Sequence, residues 1–247
     1  YTYYTCTVSG GAFTGDMTLA KQGDGILTLP AVDMTYTGET NVWAGTLNFD
    51  GKLQQSPLWL NRFTTLNSNG TFSSIKAEYA ASIHPGGDNV QGAISAEDLT
   101  LRFGSRVVLD IYGGEEMKID GVNITGQLTV ERKTTSEWLN YGPEYLQPVI
   151  ELIPHYATGE TTLTSGKYEL GVAPQTVVGS ISDIKIEGMD NQKVSVIEED
   201  GKLYINVEGM REATTVYWTG ANGSDWDLAT TENFSNEGEA DIFVNGD

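Results

Sequence analysis

In Lys21-Gln22-Gly23-Asp24-Gly25-Ile26-Leu27-Thr28-Leu29, two glycines mark a turn and an apolar alternation begins at once. Leu27 and Leu29 recur 20 residues later as Leu47 and Phe49, inside Gly45-Thr46-Leu47-Asn48-Phe49. Strand side chains alternate between faces, so each pair points to one side. Matching faces at this spacing fit successive coils of a solenoid. They fit equally two strands of a β-sandwich joined by a long connection, and periodicity alone leaves both open.

The rest of the chain has the same texture. Its 247 residues include 29 glycines but only 7 prolines, and 19% are charged. That profile belongs to turn-rich β proteins rather than helical bundles or disordered chains. Short alternations recur at Leu99 to Phe103, Val107 to Ile111, Val122 to Ile124 and Gln127 to Val130, and no helical period is sustained. An all-β fold follows, with coils expected over residues 1–137. Around Trp138 the texture changes: Pro143, Pro148 and Pro154 interrupt it, and Tyr145 to Ile153 reads as a short helix or an irregular crossover. Further on, Val194 and Val196 precede Asp200-Gly201, after which Leu203, Ile205 and Val207 alternate. That is a hairpin signal, because Asp-Gly supplies the positive φ angles of a tight turn. Ser165-Gly166-Lys167 and Gly179 to Met189 suggest further antiparallel strands, so residues 138–213 are expected to form a crossover and an antiparallel β cap.

The unit that opens at Lys21 runs on through Tyr36-Thr37-Gly38-Glu39-Thr40-Asn41-Val42 to Gly45-Thr46-Leu47. Its markers are Lys21, Gly23, Gly25, Leu27, Leu29, Tyr36, Gly38, Thr40, Val42, Gly45 and Leu47, and in this order they resemble the autotransporter-associated β-strand repeat. Pro30 and Trp43 depart from the pattern. The resemblance implies a right-handed parallel β-helix from a bacterial surface passenger, which favours the solenoid over the sandwich. The glycines would then sit where a coil turns, with Leu27, Leu29, Val42 and Leu47 stacking inward. Ser105 to Val130 is similar to the final coils of such passengers, and Ser182 to Val207 to their closing hairpin. Trp218-Thr219-Gly220, Trp226, Asn233-Phe234 and Gly246-Asp247 resemble the opening of a fresh unit. Residues 214–247 are therefore expected to begin a following unit, with strands at Thr215 to Trp218 and Asp241 to Val244. On this reading the polypeptide continues beyond Asp247 and self-associates through that end.

Parallel β-helices also carry polysaccharide lyases and hydrolases, whose chemistry leaves sequence marks. The Gly-His-Gly and Arg-x-Lys tripeptides of the hydrolases are absent. His84 lies before Pro85-Gly86-Gly87 and His155 after Pro154, contexts that read as surface turns. Carboxylate pairs at Glu115-Glu116, Glu198-Glu199 and Asp225 with Asp227, and Asp24 between its glycines, read as a solvated acidic face in a chain with 34 acidic residues. Asn222-Gly223-Ser224-Asp225-Trp226-Asp227 partly imitates a Ca2+ loop but lacks the central glycine and the distal glutamate. No other cofactor is expected. Tyr1, Tyr3 and Tyr4, with Trp43, Trp59 and Trp138, are candidates for stacking on sugar rings or for burial at coil ends. Cys6 reads as an inert strand residue, with no histidine or basic pair near it to activate the thiol.

A net charge of −20 makes a nucleic-acid backbone an unfavourable partner. One cysteine and two histidines leave no disulfide and no Cys/His zinc framework. The chain opens on Tyr1 without a basic, apolar leader and reads as a mature or excised piece. The expectation is a non-enzymatic, extracellular segment of a large bacterial passenger or adhesin-like protein, meeting a glycan or a surface protein. The alternatives are a β-helix polysaccharide lyase or hydrolase, or an ancillary carbohydrate-binding module of a larger enzyme.

Overall fold

The computed structural model describes residues 4–133, 147–189, 192–209, 215–224, 226 and 231–243. Leu27 lies beside Leu47 in a parallel ladder, with Ile26 beside Thr46 and Thr28 beside Asn48. The row runs through the whole stack: Cys6 meets Leu27, Leu47 meets Leu66, and Leu66 meets Ile83. Ile83 then meets Val107, Val107 meets Ile150, and Ile150 meets Ile186. The chain is a parallel β-helix. Leu47 and Leu66 are fully buried in it. The step is 20 residues from Leu27 to Leu47, 17 from Leu66 to Ile83 and 24 from Ile83 to Val107. A ladder with unequal steps keeps its contacts while losing its sequence period.

A second parallel sheet begins at Thr14–Gly15 and runs through Asp33–Tyr36, Lys52–Leu53, Thr71–Ala77, Ala93–Leu101 and Gln127–Val130 to Thr176–Val178. Early coils bend between this face and a third, formed by Leu19–Lys21, Thr40–Val42 and Leu58–Leu60. Thr71–Ala77 pairs with Lys52–Leu53 through its first residues and with Leu58–Leu60 through its last, so two short strands become one. Gly45 turns a coil corner at φ +71, and a Cβ there would lie 2.4 Å from the Gly25 carbonyl oxygen. Glycine is required at that position for its conformation and for the close approach of the coil beneath.

The parallel stack does not end at residue 137. Val149–His155 lies parallel to Arg106–Tyr112 over its full length, where a helix or crossover was expected from Tyr145 to Ile153. Val149, Ile150 and Leu152 are buried there. Pro154 is tolerated because Lys185–Glu187, the neighbour on the other side, pairs only with Val149 to Glu151. Lys185–Glu187 is itself parallel, and Ile181–Asp183 is a single 3-10 turn, so Gly179 to Met189 does not form antiparallel strands. Trp138 and Tyr145 lie outside the described residues.

The antiparallel cap consists of Gly166–Val172, Lys202–Val207 and Val194–Glu199. Its hairpin turns at Asp200 and Gly201, whose φ angles are +50 and +73. Tyr217–Trp218, Phe234–Asn236 and Glu239–Asp241 form a separate three-stranded antiparallel sheet. Val244 and Gly246-Asp247 lie outside the described residues.

Candidate functional site

The markers at residues 21–47 hold coils together through their polar atoms. Lys21, only 6% exposed, donates its ammonium to the carbonyls of Gly23 and, at 2.7 Å, of Ala44 on the next coil. The Gln22 carbonyl lies at 3.5 Å. Burial pushes the lysine pKa down, and nearby Asp24 works against that shift. Tyr36 is buried and shares a hydrogen bond with Thr40 Oγ1. Thr40 Oγ1 lies 2.8 Å from Ser56 Oγ, which donates to the Gly38 carbonyl at 2.6 Å. Tyr36, Gly38 and Thr40 thus close one buried network with Ser56 of the following coil, which satisfies groups that would otherwise be costly to bury. Leu29, Val42 and Leu47 are core residues, Leu27 is half-buried and Trp43 is exposed.

A second cluster lies on the outer side of the first sheet, three coils further on. Side chains that alternate with the inward row form an outward row from Thr28 through Asn48 and Asn67 to His84. Asn48 donates to Thr28 Oγ1 at 3.3 Å and Asn67 donates to Asn48 Oδ1 at 3.0 Å. At His84 the row is buried rather than exposed. The following loop folds back, placing Gly87 against Asn67 and Asp88 Oδ1 at 3.3 Å from His84 Nδ1. Asp110, on the next coil, is fully buried, with its Oδ2 at 3.7 Å from His84 Nε2. His155 Nε2 lies 2.6 Å from Asp110 Oδ1, and its ring stacks on Tyr112 at 4.3 Å between centroids.

Asp120 completes the cluster. The excursion after Tyr112 returns as Lys118–Ile119, antiparallel to Ile111 and Tyr112, and delivers Asp120 back over its own strand. Its carboxylate accepts from the Gly92 N–H and the Asp110 N–H, both at 2.8 Å. Burial pushes its pKa up to about 6, against the pull of those two donors. His84 Nε2 and Asp110 Oδ2 are buried with no hydrogen-bond partner among the described residues. His84 and His155, read from sequence as surface turn residues, therefore belong to strands Ser82–Pro85 and Val149–His155 and share one carboxylate.

Residues 19–49 match the family model of the Passenger-associated-transport-repeat. This stretch is similar to that repeat. It implies a passenger-domain segment of an autotransporter, in a family of secreted or cell-surface proteins. No curated protein matches the chain. Within the repeat, the hydrogen-bonding side chains of Lys21, Tyr36 and Thr40 all point to coil contacts rather than to solvent.

Apart from Asp24 and Trp43, the remaining sequence candidates lie outside the repeat. Trp218, Gly220, Trp226, Asn233 and Phe234 come together: the Trp218 and Trp226 indoles stack on each other at 5.6 Å between centroids, and the buried Phe234 ring meets both edge-on at 5.2 and 5.1 Å. The Asn233 carbonyl accepts from Thr219 and Gly220, and its Oδ1 accepts from the Asn222 N–H at 2.6 Å. Asp225 and Asp227 of the Ca2+-like loop lie outside the described residues, as do Tyr1 and Tyr3. Asp24, Glu115, Glu116, Glu198 and Glu199 are exposed. Trp59 donates to Glu78 at 3.1 Å beneath the Lys76 ammonium. It sits opposite Asn41 rather than Trp43, so the two indoles do not form a row. Cys6 is an exposed strand residue.

Proposed function

We propose that this chain is a non-enzymatic, extracellular length of a bacterial passenger, serving as a rigid stalk or binding surface within a longer polypeptide. The observation that carries this reading is the fate of the repeat's polar groups. Lys21, Tyr36, Thr40 and Ser56 bond to one another or to backbone of adjacent coils. Such residues build length by nearest-neighbour stacking. The exposed Trp43 and the acidic surface remain for contact with a glycan or a surface protein.

Purified chain incubated with pectins, alginate and host glycans should release no product. The rival reading, a lyase or hydrolase, would centre on the histidine–aspartate cluster. His84 and Asp110 are too enclosed there to meet a polymer, their side chains being 6% and 0% exposed. Release of oligosaccharide that vanishes in Asp110→Asn would overturn the non-enzymatic reading.

A further inference from the structure

We infer that His84, Asp110 and Asp120 form a buried three-ligand binding site for one divalent first-row transition-metal ion, with Zn2+ as the representative. Each of the three offers a ligand atom, and these atoms lie within 4.8 Å of one another. An acidic cluster alone would not establish a site. Here two buried polar atoms point into the cluster and lack hydrogen-bond partners among the described residues: His84 Nε2 and Asp110 Oδ2 face each other at 3.7 Å. That gap is too long for a hydrogen bond.

The same gap discriminates between fillers. A water bonded to both atoms at about 2.8 Å would subtend roughly 80° between them, well short of its tetrahedral preference. A metal bonded at about 2.0–2.1 Å subtends roughly 130°, within the range of a distorted tetrahedral centre. One imidazole with two carboxylates is a donor set for zinc-like ions rather than Mg2+ or Ca2+, which take all-oxygen sites. Two ionised carboxylates would also be neutralised by one dication.

The surroundings orient these donors as metal ligands are usually oriented. Asp88 Oδ1, near His84 Nδ1, favours the proton on that nitrogen and leaves the Nε2 lone pair directed inward. His155 holds the other oxygen of Asp110, and backbone N–H groups of Gly92 and Asp110 fix Asp120. The ion would tie strand Ser82–Pro85 to strand Arg106–Tyr112 and lock the excursion that ends at Asp120.

The test uses the full 247-residue chain, stripped with chelator and titrated with Zn2+ and Co2+. The site predicts one equivalent bound per chain by elemental analysis. It also predicts loss of that equivalent in His84→Gln and Asp110→Asn, and affinity weakened about 10- to 100-fold in His155→Gln, which removes an outer support. A direct measurement guards against variants that fail to fold. The chain has only two histidines, so imidazole 15N resonances of the unmodified protein report the site. On adding Zn2+, Nε2 of the histidine that persists in His155→Gln should shift. If neither imidazole responds at saturating Zn2+, or if the bound equivalent survives both ligand substitutions in folded protein, the inference fails. In the latter case the surface acids hold the ion.

Discussion

Lys21 shows how one side chain fastens two coils. Its ammonium reaches the Gly23 carbonyl at the turn and the Ala44 carbonyl one coil later. Lys21→Met keeps the aliphatic stem and removes the charged donor that links the exposed turn at Gly23 to half-buried Ala44. The expected loss is about 1.5–3 kcal/mol, the range for hydrogen bonds made by a charged group. Lys52→Met is the comparison, because its contact with Asp33 at 3.5 Å is between exposed groups. Such a pair contributes about 0–1 kcal/mol. Urea melts that lower both variants equally would show that the Lys21 cage adds nothing. The sequence marked Lys21 as part of the repeat but not what it holds, since its partner lies 23 residues away. His84 was less legible still. Alternation assigns it to the solvent face, correctly for its own strand. Only the return of the Gly86–Gly92 loop and the arrival of Asp120 bury that face.

At the scale of elements, local turn chemistry was readable and coil closure was not. Asp200-Gly201 announced its hairpin because positive φ angles and flanking alternation are both local features. Val149–His155 overlaps Tyr145 to Ile153, which reads as a short helix or an irregular crossover because Pro143, Pro148 and Pro154 interrupt the alternation. Its role depends on Arg106–Tyr112, a partner more than 40 residues earlier. Two glycines separate the conformational from the steric part of a turn. Gly201 has φ +73 with open space where a Cβ would go, whereas Gly45 has φ +71 with the Gly25 oxygen at 2.4 Å. Gly201→Ala should cost about 1–2 kcal/mol, the left-handed penalty alone. Gly45→Ala should cost clearly more, because the obstructing atoms are backbone of the coil beneath. Equal shifts in denaturation midpoint, at unchanged slope, would mean that the corner relaxes freely and that close stacking there is not a constraint.

For the whole molecule, the governing fact is that each coil is stabilised by its neighbours. The ladder from Cys6 to Ile186 links all the parallel coils, and its most buried members, Leu47, Leu66 and Ile83, lie in the middle. The antiparallel cap continues this core through Tyr168, Ile205 and Val207, all essentially unexposed. The terminal sheet differs in kind. Phe234 packs against Trp218, Trp226 and Phe243 from its own segment. A described link back to the cap is the Lys193–Glu232 pair at 3.7 Å, whose side chains are about half exposed. A pair of that kind contributes at most about 1 kcal/mol. Removing residues 210–247 should leave the β-helix and its cap folded, with the denaturation midpoint of that core little changed. The excised segment, below the roughly 40 residues at which domains usually fold unaided, should lose the near-ultraviolet signal of its stacked indoles. Global unfolding of the shortened chain would make the terminal sheet part of the main core. A segment that kept its tryptophan signal alone would show that its aromatic cluster suffices, and that the coil contributes nothing to its order.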